Sequence, residues 1–341
     1  MHVIVYLPFV ASLLLAASGP RLAARMPPST GTRLLLAAGL VCALTSLLSL
    51  ALLAWTLIGR LPLVAAVGAW SGDRLRHTDP VSPITAKLAG TTLTVLAFAI
   101  VWTTARRIHA LHRARRACRH LGPGTGRLVV LDQHAIEAFA IPASRKDHGR
   151  IVVSTGMLRI LNADERRVLL AHETAHLTHR HYRHRALAAL ITAGNPLLAT
   201  LPAAIHHLTE RWADEDAATT VTDRQLAART LARAALATRH HDRRPPAEGA
   251  VLCFGRNDVP RRVRALLTAT PRRRPIGATL LAATLLTCLL SAWEAGHDTT
   301  QRISQARDDY HARRLGITNA TGHEAHHLLT VISHHRISRS P

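Results

Sequence analysis

The chain has 341 residues, 48% hydrophobic but only 4% aromatic, with a formal charge of +22 from 43 Lys and Arg against 21 Asp and Glu. In a soluble protein that charge would raise nucleic acid as a partner, but few aromatics leave little to stack on bases, and much of the charge sits beside long uncharged blocks. No nucleic-acid partner is therefore expected, and four cysteines without a CxxC pair exclude a disulfide framework or a thiolate zinc site.

The uncharged blocks set the class. "VIVYLPFVASLLLAAS" at the start lacks the Lys or Arg that precedes the apolar part of a signal peptide, so it reads as a retained first span near residues 3–19. Residues 34–58 give 25 positions without a charge, enough for a helix to cross a hydrocarbon core of about 30 Å. Residues 88–105 and 276–293 are each 18 uncharged residues, at the shorter end of a spanning helix. The expected architecture is a multi-pass α-helical membrane protein, with residues 1–105 forming an N-terminal membrane region of about three spans.

Orientation follows from basic residues. Arg21, Arg25 and Arg33 follow the first span, and "RRIHALHRARRACRH" (106–120) follows the third, so both flanks are expected in the cytoplasm. The four basic residues of the loop at 59–87 count against this. On this reading residues 106–275 form a cytoplasm-facing domain of a protein in the cell membrane, with the lipid bilayer as a partner. Residues 294–341, with few and scattered apolar residues, are expected to form a polar tail without a stable fold.

Within 106–275, "RLVVLD" (127–132) and "RIVVST" (150–155) are β-branched runs that read as strands, and "AFAIP" (138–142) is a candidate third. A helix is expected from about 163 to 184, opened by Asn162 with Glu165 three residues on, a capping-box pattern. Residues 186–205 are uncharged, but Gly194-Asn195-Pro196 interrupts them, which predicts two short apolar helices instead of a span. A third long helix is expected over 206–240, then an exposed loop at 239–249 and a basic flank, "PRRRP", at 271–275.

The chemistry lies in "VLLAHETAHLTHRHYRHR", residues 168–185. On a helix His172 and His176 emerge from one face a turn apart, able to hold one zinc ion through their imidazoles. In such an HExxH pattern Glu173 lies beside the metal, placed as the catalytic general base that takes a proton from an attacking water. The chain holds 23 histidines but only eight glutamates, so a chance HExxH has an expected count of roughly 0.04.

A catalytic zinc needs a third protein ligand. His179 returns to the same helix face but lies about 10 Å along the axis from His172, too far to share one ion. The metzincin pattern would need Gly at 179 and His at 182, where this chain has His179 and Tyr182. That leaves "ERWADEDAA" (210–218), where four acidic residues fall within seven positions of an Arg-rich chain. Glu210 could reach the metal from a second helix, and Asp214, one turn on, could accept the free N–H of a ligand histidine.

"AFAIP", "RIVVSTGMLRILNADERRVLLAHETAHLTHRH" and "ERWADEDAA" together resemble the core of membrane-embedded zinc metallopeptidases of the gluzincin type, a group that includes HtpX-like and CAAX-processing proteases and the antirepressor peptidases of BlaR/MecR sensors. The resemblance covers roughly residues 127–268. It implies a zincin-like α+β domain with Zn2+ as cofactor. His172, His176 and Glu210 are then ligands, Glu173 the base and Asp214 their support. It also implies that Ala138, Phe139 and Ala140 contribute the edge on which an extended peptide docks by strand addition. Arg262, in "RRVRALL", is similar to a late family arginine and is given no role at this point.

The expected function is membrane-bound zinc-dependent endopeptidase, hydrolysing peptide or protein substrates with metal-activated water. Two alternatives stay open: an antirepressor-type transducer that cleaves a single regulatory partner, and a non-catalytic membrane protein that binds metal through its histidines. The tail after the fourth span has under fifty residues, too few for a penicillin-binding sensor domain, so a β-lactam receptor is not expected.

Overall fold

The computed structural model describes residues 4–58, 64, 82–119, 127–142, 149–241, 258–268 and 275–314. Most of the loop at 59–87, the expected exposed loop from 242 on, the basic flank before Pro275 and the end of the tail, 315–341, lie outside the described residues. The chain divides into two compact units, one of Met1–Ala11, Val41–Phe98 and Leu285–Pro341, the other of Ser12–Leu40 and Ala99–Thr284.

Among the described residues three helices are long and apolar enough to cross a membrane: α1 (Leu7–Ala24), α2 (Pro28–Ile58) and α3 (Pro83–Arg119). Proline opens two of them where its missing N–H costs nothing, and at α3 Ser82 Oγ also accepts the N–H of Thr85 at 3.1 Å. Only 17% of the most apolar stretch of α3 is buried, and Val95, Phe98, Val101 and Trp102 stand exposed. That surface suits lipid rather than water.

In the first unit Val5, Leu50, Leu53, Ala89 and Leu96 form an apolar cluster. There too the buried thiols of Cys42 and Cys288 lie 3.8 Å apart. The last helix, α10, covers the expected fourth span and runs from Pro275 to Arg314. Residues 294–314, expected as tail, are therefore helical. Their apolar residues are scattered, but a proline-free run containing Ala, Arg and Gln sustains a helix on propensity, and Ala306 is buried against Trp55 and Ile303.

The second unit carries the α+β part. Strands β1 (Leu128–Leu131), β2 (Ala138–Ile141) and β3 (Arg150–Ser154) form a three-stranded sheet in the order β1-β3-β2, with β1 parallel and β2 antiparallel to β3. The central strand carries the continuous apolar run Ile151-Val152-Val153, all buried, as a strand covered on both faces requires. Among the described residues β2 is an edge strand, with Phe139 opposite Val152 and Ala140 opposite Ile151.

Ser154 turns the chain from β3 into the short helix α4 (Thr155–Ile160): its Oγ accepts from Met157 N at 3.1 Å and donates to Ala135 O at 2.5 Å. The loop before β2 is drawn so close that a Cβ at Gly156 would lie 2.3 Å from His134 O, so no other residue fits there. The helix α5 (Ala163–Thr178) starts with both halves of the capping box formed, each at 2.9 Å, between Asn162 and Glu165.

The helix expected to reach 184 ends early. Arg180 takes a left-handed conformation, φ 53°, and a new helix, α6 (His181–Gly194), begins. No Gly, Asn or Pro marks this break, which is why a periodicity reading runs through it. Burial of His181 and its packing on Trp212 override local preference. Asn195 then caps the 3-10 turn Pro196–Leu198, so the interruption in 186–205 falls where expected.

The expected long helix at 206–240 is two helices, α7 (Leu201–Val221) and α8 (Arg224–His241), separated by Thr222 in the left-handed region. Asp223 Oδ1 accepts from Leu226 N at 2.8 Å and restarts the helix. A further helix, α9 (Val259–Leu267), buries Val259 and Leu266 in a core with Val168 of α5, Ala217 and Ala218 of α7, and Ala227, Ala228 and Leu231 of α8. Small side chains on α7 and α8 bring these axes close. Residues 12–40 pack on the same unit: Asn195 donates to Ser12 Oγ at 2.8 Å and Arg211 to Ala24 O at 2.9 Å.

Candidate functional site

In the second unit α5 packs against α7. His172 and His176 on α5, and Glu210 and Asp214 on α7, are each spaced by four residues, so each pair presents one face, and the two faces meet. The Nε2 atoms of His172 and His176 lie 3.1 Å apart, with Glu210 Oε2 3.8 Å from the first and Oε1 3.5 Å from the second. One ligand atom from each of the three falls within 4.8 Å of the others, the separation at which a single ion can bridge them. The set of two imidazoles and one carboxylate suits zinc.

Behind these atoms lies a buried polar frame. His172 Nδ1 is 3.1 Å from Asp214 Oδ1, so the carboxylate can take its N–H and leave Nε2 bare. Arg262 of α9 donates through Nε and Nη2 to the two oxygens of Asp214, each at 2.7 Å, while its Nη1 lies 2.7 Å from Glu210 Oε2. Arg185 of α6 donates to Glu210 Oε1 at 2.5 Å. His176 Nδ1 faces His181 Nδ1 at 2.8 Å.

Charge follows from this frame. Burial would raise Glu210, but Arg262, His176, Arg185 and His172 hold it well below the usual carboxylate range. Asp214 is likewise lowered, its burial outweighed by Arg262 and His172. Arg262 is raised, because Asp214 and Glu210 outweigh its own burial. Burial lowers His176 far below an ordinary histidine, so the ring is neutral and one of its two nitrogens carries a free lone pair. Burial would lower His172 too, but the hydrogen bond to Asp214 and three nearby carboxylates leave it raised.

Glu173 differs from the other two carboxylates. Burial pushes it up to about 7, with Glu210 adding to the rise and His172 opposing it. A carboxylate poised near neutrality can both take and return a proton. It lines an open cleft together with the three candidate ligands, Leu177, Tyr182 and Arg185, and with Phe139, Ala140 and Pro142 from the β2 edge. Ala138, the third residue expected at that edge, also lies in β2, and its side chain packs against the core around Ile151 and Val153.

Residues 105–308 match the family described as Peptidase family M48, more than half of the chain. The chain belongs to peptidase family M48. Among curated proteins it is similar to a "Protease HtpX homolog" of Thermodesulfovibrio yellowstonii (35% identity over 75 residues, 22% of this chain and 26% of the relative). It is also similar to a "Protease HtpX" of Xanthomonas euvesicatoria pv. vesicatoria (39% over 67 residues, 20% and 23%) and a "Protease HtpX homolog" of Acaryochloris marina (37% over 75 residues, 22% and 25%). The chain thus spans about a quarter of the length of the curated relatives it matches. No solved structure matches it.

Three groups of this M48 peptidase were not assigned from sequence. Arg262 was noticed without a role, although it carried a signal: it sits between Val259 and Leu266 on the buried face of an amphipathic helix, where an arginine needs an anionic partner. Arg185 and His181 carried none, because both reach the site only through the break at Arg180.

Proposed function

We propose that this M48 peptidase is a membrane-bound, zinc-dependent endopeptidase whose ligands are His172, His176 and Glu210 and whose general base is Glu173. The observation that carries this reading is the convergence of three ligand atoms within 4.8 Å, in a cleft that also holds a carboxylate raised to about 7. A zinc ion held there supplies a Lewis acid that polarises a carbonyl and makes water a stronger acid.

The chain's own residues do the rest. An extended substrate adds to the edge of β2 that is unpaired among the described residues, where Phe139 and Ala140 line the cleft and backbone groups supply the hydrogen bonds. That placement brings the scissile peptide group past Glu173. The Glu173 carboxylate takes a proton from the attacking water and returns it to the departing amine nitrogen. Asp214 and Arg262 keep His172 and Glu210 in place, so little reorganisation accompanies the reaction.

The Arg-rich end of α3, with Arg106, Arg107, Arg113, Arg115 and Arg116, supports a cytoplasmic face for the peptidase part. Cysteine labelling at residue 245 checks it, and labelling from outside the cell would reverse the assignment.

The reading of the site is tested by metal analysis and turnover of two purified variants. Glu173→Gln keeps near-stoichiometric zinc and loses about a hundred- to ten-thousand-fold in rate, because the amide cannot accept the proton. Glu210→Ala loses the metal itself. Full activity in Glu173→Gln, or undiminished zinc in Glu210→Ala, would refute the assignment.

A further inference from the structure

His181 follows His176 by five residues, and on a continuous helix it would point about 140° away from it. It does not. The left-handed residue Arg180 ends α5 and starts α6, and the change of direction returns the His181 ring to the back of His176, with Nδ1 2.8 Å from Nδ1. The ring is buried, edge-on to His176, and held on its other sides by Trp212, His179 and His184 at centroid distances of 5.1, 5.7 and 6.2 Å. A non-glycine residue in the left-handed region is strained, so what it places must compensate.

Only one proton fits between two nitrogens at that distance. If it sat on His181, a neutral His176 would carry its own proton on Nε2, the atom 3.1 Å from His172 Nε2 and 3.5 Å from Glu210 Oε1, and could not bind a cation. With the proton on His176 Nδ1 the lone pair of Nε2 is bare, and His181 carries its proton on Nε2. That nitrogen is buried and has no hydrogen-bond partner among the described residues. For packing alone an apolar ring would serve better, since it leaves no polar atom buried and unpaired.

We infer that His181 is a positioning residue for the metal site: its Nδ1 accepts the Nδ1–H of His176 and fixes the tautomer and ring orientation in which His176 Nε2 binds the ion. This rests on the metal-site reading proposed above. The two ligand histidines then have unlike supports, the Asp214 carboxylate for His172 and a neutral imidazole for His176.

The test uses the whole chain purified in detergent, with zinc affinity read by competition against a chromophoric chelator and the unfolding temperature of each metal-free form as a control. Asparagine places its Oδ1 where histidine has Nδ1, whereas glutamine places its oxygen nearer the position of Nε2. His181→Phe weakens zinc by about 10- to 100-fold. His181→Asn restores most of that loss, and His181→Gln does not, with both metal-free forms melting alike. Zinc as tight in His181→Phe as in the unaltered chain would overturn the inference and leave the metal site standing. So would His181→Asn as weak as His181→Gln. If the unaltered chain takes up no stoichiometric zinc, the metal reading itself fails and this inference with it.

Discussion

Two histidine–aspartate contacts tie α5 and its C-cap residue His179 to α7, and they are not equivalent. His172 Nδ1 meets Asp214 Oδ1 at 3.1 Å with side chains 8% and 6% exposed, while His179 Nε2 meets Asp216 Oδ2 at 2.5 Å with side chains 29% and 37% exposed. The shorter contact is the less consequential one. Water can solvate both partners of the second pair if it breaks, so such pairs contribute about 1 kcal/mol or less. The first pair has no such recourse: Asp214 is also gripped by Arg262, which reaches Glu210 as well, so loosening one member leaves others buried with their charge uncompensated. Burial and shared partners, more than distance, separate the functional contact from the incidental one.

The largest effect expected from this contrast comes from the cation at its centre. Arg262→Met removes the guanidinium that touches both Glu210 and Asp214, and Met keeps the bulk on the buried face of α9. Leaving two buried carboxylates short of a cation destabilises the fold by about 3–5 kcal/mol. Denaturant unfolding of the detergent-solubilised variant measures this, and a change below about 1 kcal/mol would mean that the buried frame is no more coupled than the exposed pair. Lysine is not expected to rescue, since a point charge cannot reproduce the forked contact to both oxygens of Asp214.

A smaller effect probes the buried histidine contact directly. Asp214→Asn keeps the shape but offers His172 a weaker, uncharged acceptor, and zinc affinity is expected to fall by about 10- to 100-fold. The same substitution at Asp216 should leave the affinity within about threefold, because its partner is not among the proposed ligands. Chelator competition on the pair of variants sharpens the comparison, and equal losses at both positions would erase it.

What was legible in the sequence divides along the same line. The i, i+4 spacing of His172 with His176 and of Glu210 with Asp214 is local geometry, so each pair could be placed on one face before its partner helix was seen. The scarcity of acidic residues pointed to "ERWADEDAA", and the structure brings Glu210 from there to both histidines. The apolar blocks likewise set α1, α2 and α3, because length and lack of charge suffice to read a span. The breaks were not legible. Arg180 and Thr222 adopt left-handed backbone without the Gly or Asn that usually announces it, and what compensates is burial of side chains far along the chain. Hence His181 and Arg185 were missed, and Arg262 was seen but not understood, since its partners lie 48 and 52 residues away.

The smallest expected effect is at His179. It lies seven residues after His172 in a histidine-rich stretch, on the same face of a continuous helix but about 10 Å along its axis. The structure turns its Nε2 to Asp216 and stacks its ring on Trp212 at 4.5 Å, away from Glu210 and the ligand pair. His179→Ala removes a partly exposed ion pair and a ring contact, which together cost about 1–2 kcal/mol of stability. Zinc affinity should stay within about threefold, since no ligand or direct support is touched. If His179→Ala emptied the site while Glu210→Ala stayed loaded, the third ligand would be His179, and the exposed contact would be the functional one after all.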